Sequence, residues 1–193
     1  LCNVPLTPSA LPVVASTGFV TSSARLRPAC DRPMKLLIVI EGNQRHRLWE
    51  SAIPILRDRG VDPVLATLQG PGPIHDRLGA AGVTTLGLDC SSVADYPRAI
   101  VCLARHIRRS GVDIVHGCES IPAAIASTAA IVGRRGVRVF DRQHSQIGPP
   151  TQWFAAVAFR LSDLTMACSA AAAKWTIEEG VPPEKVQVAY NGV

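Results

Sequence analysis

From Met34 onward, short apolar runs alternate with segments whose apolar residues recur every three or four positions. Leu36–Ile40 has no polar alternation, the pattern of a strand buried on both faces. Arg47–Arg59 places Leu48, Ala52, Ile55 and Leu56 on one helical face and stops at Gly60; Pro54 should kink or crowd that helix. The alternation continues with a strand at Val61–Leu68, a helix at Ile74–Ala81 and a strand at Val83–Leu88. A helix at Tyr96–Arg109 precedes a strand at Val112–His116, a helix at Pro122–Val132 and a strand at Val137–Phe140. Helix Thr151–Leu161, strand Leu164–Cys168, helix Ala170–Glu179 and strand Val186–Ala189 complete the pattern.

Strand–helix–strand repetition with doubly buried strands predicts an α/β domain: a doubly wound, Rossmann-like parallel sheet of about seven strands with right-handed crossovers. Ligands of such sheets bind beyond the carboxyl ends of the strands. The search for chemistry therefore narrows to Glu41–Asn43, Gln69–Gly72, Asp89, Gly117–Ser120, Asp141–Ser145 and Ser169.

Residues 1–33 break the pattern. They hold five prolines and many Ser and Thr, and predict a disordered or non-native extension before a domain at 34–193, with Met34 as a start. The far end reads as a strand followed by the turn signal Asn191-Gly192, which suggests the front part of a longer protein.

Composition adds limits. The chain is 47% hydrophobic but only 5% aromatic, so the core must come from Val, Ile, Leu and Ala. The net charge of +5 comes from 17 Arg and 3 Lys against 15 acids, a mild excess that suggests no nucleic-acid partner. Arg105, Arg108 and Arg109 share one helix face, which suits at most weak peripheral contact with anionic lipid at the inner face of the cell membrane. Six cysteines form no C-x-x-C pair and show no linear metal spacing to a histidine. Cys102, Cys118 and Cys168 read as small buried residues in a reducing, cytoplasmic compartment, and no metal site is expected.

At the strand ends, Gly42 in Glu41-Gly42-Asn43 can let backbone N–H groups approach a ligand, although neither a dinucleotide fingerprint nor a P-loop is present. Gly70-Pro71-Gly72-Pro73 reads as a rigid turn. His116 reads as a buried strand residue, and Glu119 and Ser120 as site residues or as caps of the next helix. Asp141-Arg142-Gln143-His144-Ser145 crowds polar groups after an apolar strand, which favours ligand contact, and His144 suits proton transfer or hydrogen bonding to substrate. Ser169 is explained by capping and could also serve a ligand.

The order of these pieces resembles the N-terminal domain of a family 4 glycosyltransferase of the GT-B fold. The similarity rests on Asp113-Ile114-Val115-His116, Gln143-His144-Ser145, Ala167-Cys168-Ser169-Ala170, and Gly180-Val181-Pro182 followed by Lys185-Val186 and Asn191-Gly192-Val193. The resemblance implies a hexosyltransferase-type enzyme that takes a nucleotide-sugar as co-substrate and a glycan, lipid or small molecule as acceptor. It implies retention at the anomeric carbon and no cofactor or bound metal. It further implies that His144 contacts the donor sugar as the catalytic residue. Glu41, Gly42, Asn43, Glu119, Ser120, Arg142, Ser145 and Ser169 would then surround substrate, and a C-terminal domain would hold the donor. This chain departs from the pattern at the single Gly42 and at Cys118, where many members carry a second histidine. A sugar-nucleotide epimerase or a stand-alone flavodoxin-like binding module remains open on the sequence.

Overall fold

The computed structural model describes residues 32–143 and 151–190. Seven strands form one parallel sheet: β1 (Met34–Ile40), β2 (Val61–Thr67), β3 (Thr84–Gly87), β4 (Ile114–Cys118), β5 (Val137–Arg142), β6 (Leu164–Ala167) and β7 (Val186–Val188). Their spatial order is β3-β2-β1-β4-β5-β6-β7. The chain winds outward from β1 to β3, then returns to place β4 on the other side of β1, so the switch point lies between β1 and β4. Six helices connect the strands: α1 (Arg47–Asp58), α2 (Pro73–Ala80), α3 (Tyr96–Ser110), α4 (Ser120–Gly133), α5 (Thr151–Leu161) and α6 (Ala170–Glu178).

Side-chain alternation sorts the sheet's two faces. Leu37, Val39 and Val115 pack with Leu103, Ile107, Ile125 and Ala129 from α3 and α4. Ile38, Ile40, Leu65 and Cys118 pack with Trp49 and Ile53 of α1 and with Ile74 and Leu78 of α2. Both faces are covered, which explains strands with little polar alternation. Helix α4 is the most buried, and its alanines let it lie close to the sheet. A Cβ on Gly117 would sit 2.3 Å from the Cα of Ala123, so the β4–α4 contact requires glycine there.

At the amino ends, Asp113 fastens β1 to β4. Its carboxylate accepts from the Lys35 amide at 3.0 Å and from Arg32 at 2.7 Å, and the Asp113 amide donates to the Lys35 carbonyl at 2.9 Å.

Several boundaries, and the path of α1, depart from the periodicity. β4 runs two residues past His116, and β5 includes Asp141 and Arg142, because each of these polar residues keeps its backbone in the ladder and finds a side-chain partner. α4 starts at Ser120 rather than Pro122. α1 continues through Pro54 as one element, at the cost of the hydrogen bond that the proline nitrogen cannot donate. The expectations for residues 1–31 lie outside the described residues.

Candidate functional site

A cavity of about 240 Å³ opens at the switch point. Ile40, Glu41, Gly42, Gln44, Arg45 and His46 enclose it from the β1–α1 side, Cys118 and Glu119 from the end of β4, and Gln143 from the end of β5. A larger cavity of about 610 Å³ lies between α5 and the α6–β7 connection, but it touches none of these strand-end loops.

Glu119 is the conformational outlier of this site. Its φ of 68° and ψ of 171° fall in a region that is essentially glycine's own, costing on the order of 1–3 kcal/mol. Its amide donates to the Asp141 carbonyl at 2.9 Å, and its carbonyl accepts the first α4 hydrogen bond, from Ala123 at 3.0 Å. The strained residue therefore couples the ends of β4 and β5 to the start of α4. Its side chain does not cap α4, so the capping reading of Glu119 is corrected; the positive end of the helix dipole faces the strand-end region without a side-chain cap.

Gly42 behaves differently from Gly117. A Cβ there would meet no atom of the described residues within 4 Å, and its φ is not in the left-handed region. The fold makes no steric demand for glycine at 42, and the open space lies on the cavity wall.

Asn43 braces the site. Its amide donates to Gln69 Oε1 at 3.3 Å, its Nδ2 donates to the Gly70 carbonyl at 3.0 Å, and its carbonyl accepts from Ile74 at 3.3 Å. The brace extends inward. Thr67 donates its hydroxyl proton to the Gln69 carbonyl at 2.7 Å, so His75 Nε2–H must be the donor to Thr67 Oγ1 at 2.8 Å. The Gly70-Pro71-Gly72-Pro73 turn is tightly seated: a Cβ on Gly70 would meet Asp89 Oδ1 at 2.3 Å, and one on Gly72 would meet Asn43.

Of the other expected site residues, Ser120 is buried at the start of α4. Ser169 caps α6, accepting from the Ala172 amide at 3.1 Å. Arg142 departs from its expected place on substrate. It is 1% exposed and points to the face opposite Asp141. Its guanidinium donates to Glu179 at 2.7 and 2.9 Å and to Thr176 at 3.0 Å, and lies 5.5 Å from the centre of the Phe159 ring. The reason is the longer β5, which makes Arg142 a strand residue rather than a loop residue. His144 and Ser145 lie outside the described residues.

Sequence reasoning missed one cluster. His116 and Cys118 share a face of β4, and Asp141 is the register partner of Cys118 on β5. One donor atom from each lies within 4.8 Å of the others. His116 Nε2 is 3.4 Å from Asp141 Oδ2, which also accepts from Gln143 at 3.1 Å. The Trp49 ring stands edge-on to His116, with centroids 5.4 Å apart. Burial pushes the Cys118 thiol well above its ordinary range. The signal was present as His116-x-Cys118 with the two-residue period of a strand, but the strand was read as ending at His116.

A seven-stranded parallel sheet with a cavity at its switch point defines a Rossmann-like ligand-binding domain. The sequence model of Glycosyltransferase Family 4 matches residues 53–193, and the chain belongs to that family. Among solved structures, it is similar to a glycosyltransferase from Rickettsia africae (16% identity, TM-score 0.66), covering 83% of this chain and 44% of that one. It is also similar to HepE from Anabaena, solved with UDP and glucose (17% identity, TM-score 0.62), covering 83% of this chain and 45% of that one. A putative UDP-N-acetylglucosamine 2-epimerase from Listeria monocytogenes is similar at 11% identity and TM-score 0.64, covering 80% of this chain and 44% of that one. This chain thus spans less than half the length of those structures. A search of curated protein sequences finds no match. Among the described residues, no helix is long and apolar enough to cross a membrane.

Proposed function

We propose that this chain forms the acceptor-side half of a nucleotide-sugar-dependent glycosyltransferase. The observation that carries the reading is the switch-point cavity, walled by the unobstructed Gly42 and the strained Glu119, in a chain of glycosyltransferase family 4. Backbone strain at a cavity wall is a pointer to function, because strain persists where the surroundings hold it.

The roles follow from placement. The acceptor enters at the carboxyl ends of β1 and β4. The segment at Gly42 approaches it through backbone groups, since no side chain stands in the way. Glu119 and Gln143 offer polar contacts from the opposite wall. A nucleoside diphosphate sugar, such as the UDP-glucose seen with HepE, supplies the donor. In transfer, the bond from the anomeric carbon to the diphosphate breaks and a bond to an acceptor hydroxyl forms. The departing diphosphate oxygen takes the bonding pair and its negative charge, and the hydroxyl proton passes to it. His144 is proposed to contact the donor sugar, with Ser145 beside it. Transfer needs no bound metal for charge stabilisation in this reading.

The test is an assay of the complete gene product against a panel of nucleotide sugars, with and without candidate acceptors. Acceptor-dependent release of nucleoside diphosphate supports the proposal. Conversion of the sugar nucleotide to an epimer without an acceptor overturns it in favour of an epimerase.

A further inference from the structure

We propose that His116, Cys118 and Asp141 form a binding site for one thiophilic divalent cation, best suited to zinc, beneath the floor of the switch-point cavity. The site shares Cys118 with the cavity wall but does not depend on the assignment of the acceptor contacts.

The donor set is the first argument. Imidazole, thiolate and carboxylate are the ligand types zinc takes, and ligand atoms around a tetrahedral zinc stand roughly 3.3–3.8 Å apart. Here the three donor atoms already lie within 4.8 Å of one another, and one pair is at 3.4 Å. The longest separation needs to shorten by about an ångström to reach tetrahedral spacing.

Placement is the second argument. A buried dication is tolerated when its ligands neutralise it. One thiolate and one carboxylate do so, and His116 adds a neutral donor. Binding replaces the Cys118 S–H bond with an S–metal bond and releases the thiol proton to solvent.

The third argument is independent of the ligands. Trp49 is 6% exposed, and its indole N–H has no hydrogen-bond partner among the described residues. It packs in one buried cluster with Cys118 and stands edge-on to His116. A metal-bound thiolate gives that buried N–H the acceptor it lacks. Asp141 is already oriented by Gln143, as a ligating carboxylate usually is by an outer partner. Cys118 also lines the cavity, and His46 lines the same space with Nδ1 buried and unpartnered among the described residues.

Because Gln143 and the Glu119 amide both bond to Asp141, a cation here would stiffen two walls of the cavity. That gives the site a structural or regulatory role, not a part in the transfer step.

The test titrates the metal-free chain with cobalt(II) alone and then displaces it with zinc. One equivalent of cobalt should produce a near-ultraviolet thiolate-to-cobalt charge-transfer band, and one equivalent of zinc should abolish it. The band should vanish in Cys118→Ser and persist in Cys102→Ser, whose thiol is exposed on α3. Circular dichroism checks folding. If Cys118→Ser does not fold, Asp141→Asn decides, with an expected loss of at least about tenfold in cobalt affinity. Absence of the band in the unaltered chain, its survival in Cys118→Ser, or unchanged affinity in Asp141→Asn overturns the proposal.

Discussion

Arg142 on β5 and Glu179 at the end of α6 grip each other through two hydrogen bonds, Nη1 to Oε2 at 2.7 Å and Nη2 to Oε1 at 2.9 Å. The arginine is buried and the glutamate is partly exposed, so solvent screens one side only. Glu179→Ala leaves the buried guanidinium without its carboxylate, and should cost about 1–3 kcal/mol in urea unfolding. It should leave the Michaelis constants for donor and acceptor unchanged. A shift in those constants at constant stability would return Arg142 to the substrate.

Two glycines should respond in opposite ways. Gly117→Ala drives a methyl into the backbone of Ala123, so α4 must move off the sheet; a loss of about 1–3 kcal/mol is expected, with poorer expression. Gly42→Ala meets nothing among the described residues and should leave the melting temperature within a degree or so. If the cavity takes the acceptor, the same change should raise the acceptor Michaelis constant several-fold. Differential scanning fluorimetry alongside steady-state kinetics separates the two.

Glu119→Gly tests the strain. Relief of the backbone should outweigh glycine's added freedom in the unfolded chain and stabilise the domain by about 1 kcal/mol. Activity should fall at the same time, since the cavity loses a wall residue. A destabilised Glu119→Gly variant would show that the side chain's contacts outweigh the strain.

Acid should weaken the fold in two stages. Burial pushes His75 below its ordinary 6.5, and burial followed by the Lys35 charge does the same to His106. Both stay neutral in the fold but take up protons in the unfolded chain once the pH drops below 6.5. The unfolded state then binds more protons, so stability is lost as pH falls from 6.5 toward the lower folded values. Asp113 is held below its ordinary 3.8, chiefly by the Lys35 amide, Asp95 by the Ser91 and Ser92 amides, and Asp163 by Arg138. Their contribution is present above 3.8 and fades as pH falls below it. Melting temperatures measured from pH 7.5 to pH 3 should show both declines, and His106→Leu should flatten the first.

The fold was legible because doubly buried strands leave continuous apolar runs, and every strand and helix of the alternation is present. What the pattern hid were polar residues that stay inside strands. Asp141 and Arg142 look like loop chemistry until their partners are known, and those partners, His116 and Glu179, stand 25 and 37 residues away in sequence. Asn43 was read as facing substrate for the same reason: its bonds go to a turn 26 to 28 residues onward. Backbone strain at Glu119 leaves no trace in composition, since only the meeting of β4, β5 and α4 imposes it. The carboxyl ends of the strands as the place to search, by contrast, followed from the strand–helix alternation alone.

Adjacent Asp141 and Arg142 also set the alignment of β5 during assembly. Successive strand residues face opposite sides, so a one-residue slip would exchange them. The guanidinium would then be pressed among His116, Cys118 and Trp49, away from the Glu179 carboxylate, and the Asp141 carboxylate would lose its His116 and Gln143 partners. The charged dipeptide therefore penalises every odd register of β5 against β4 and β6, a form of error-proofing that an all-apolar strand could not supply.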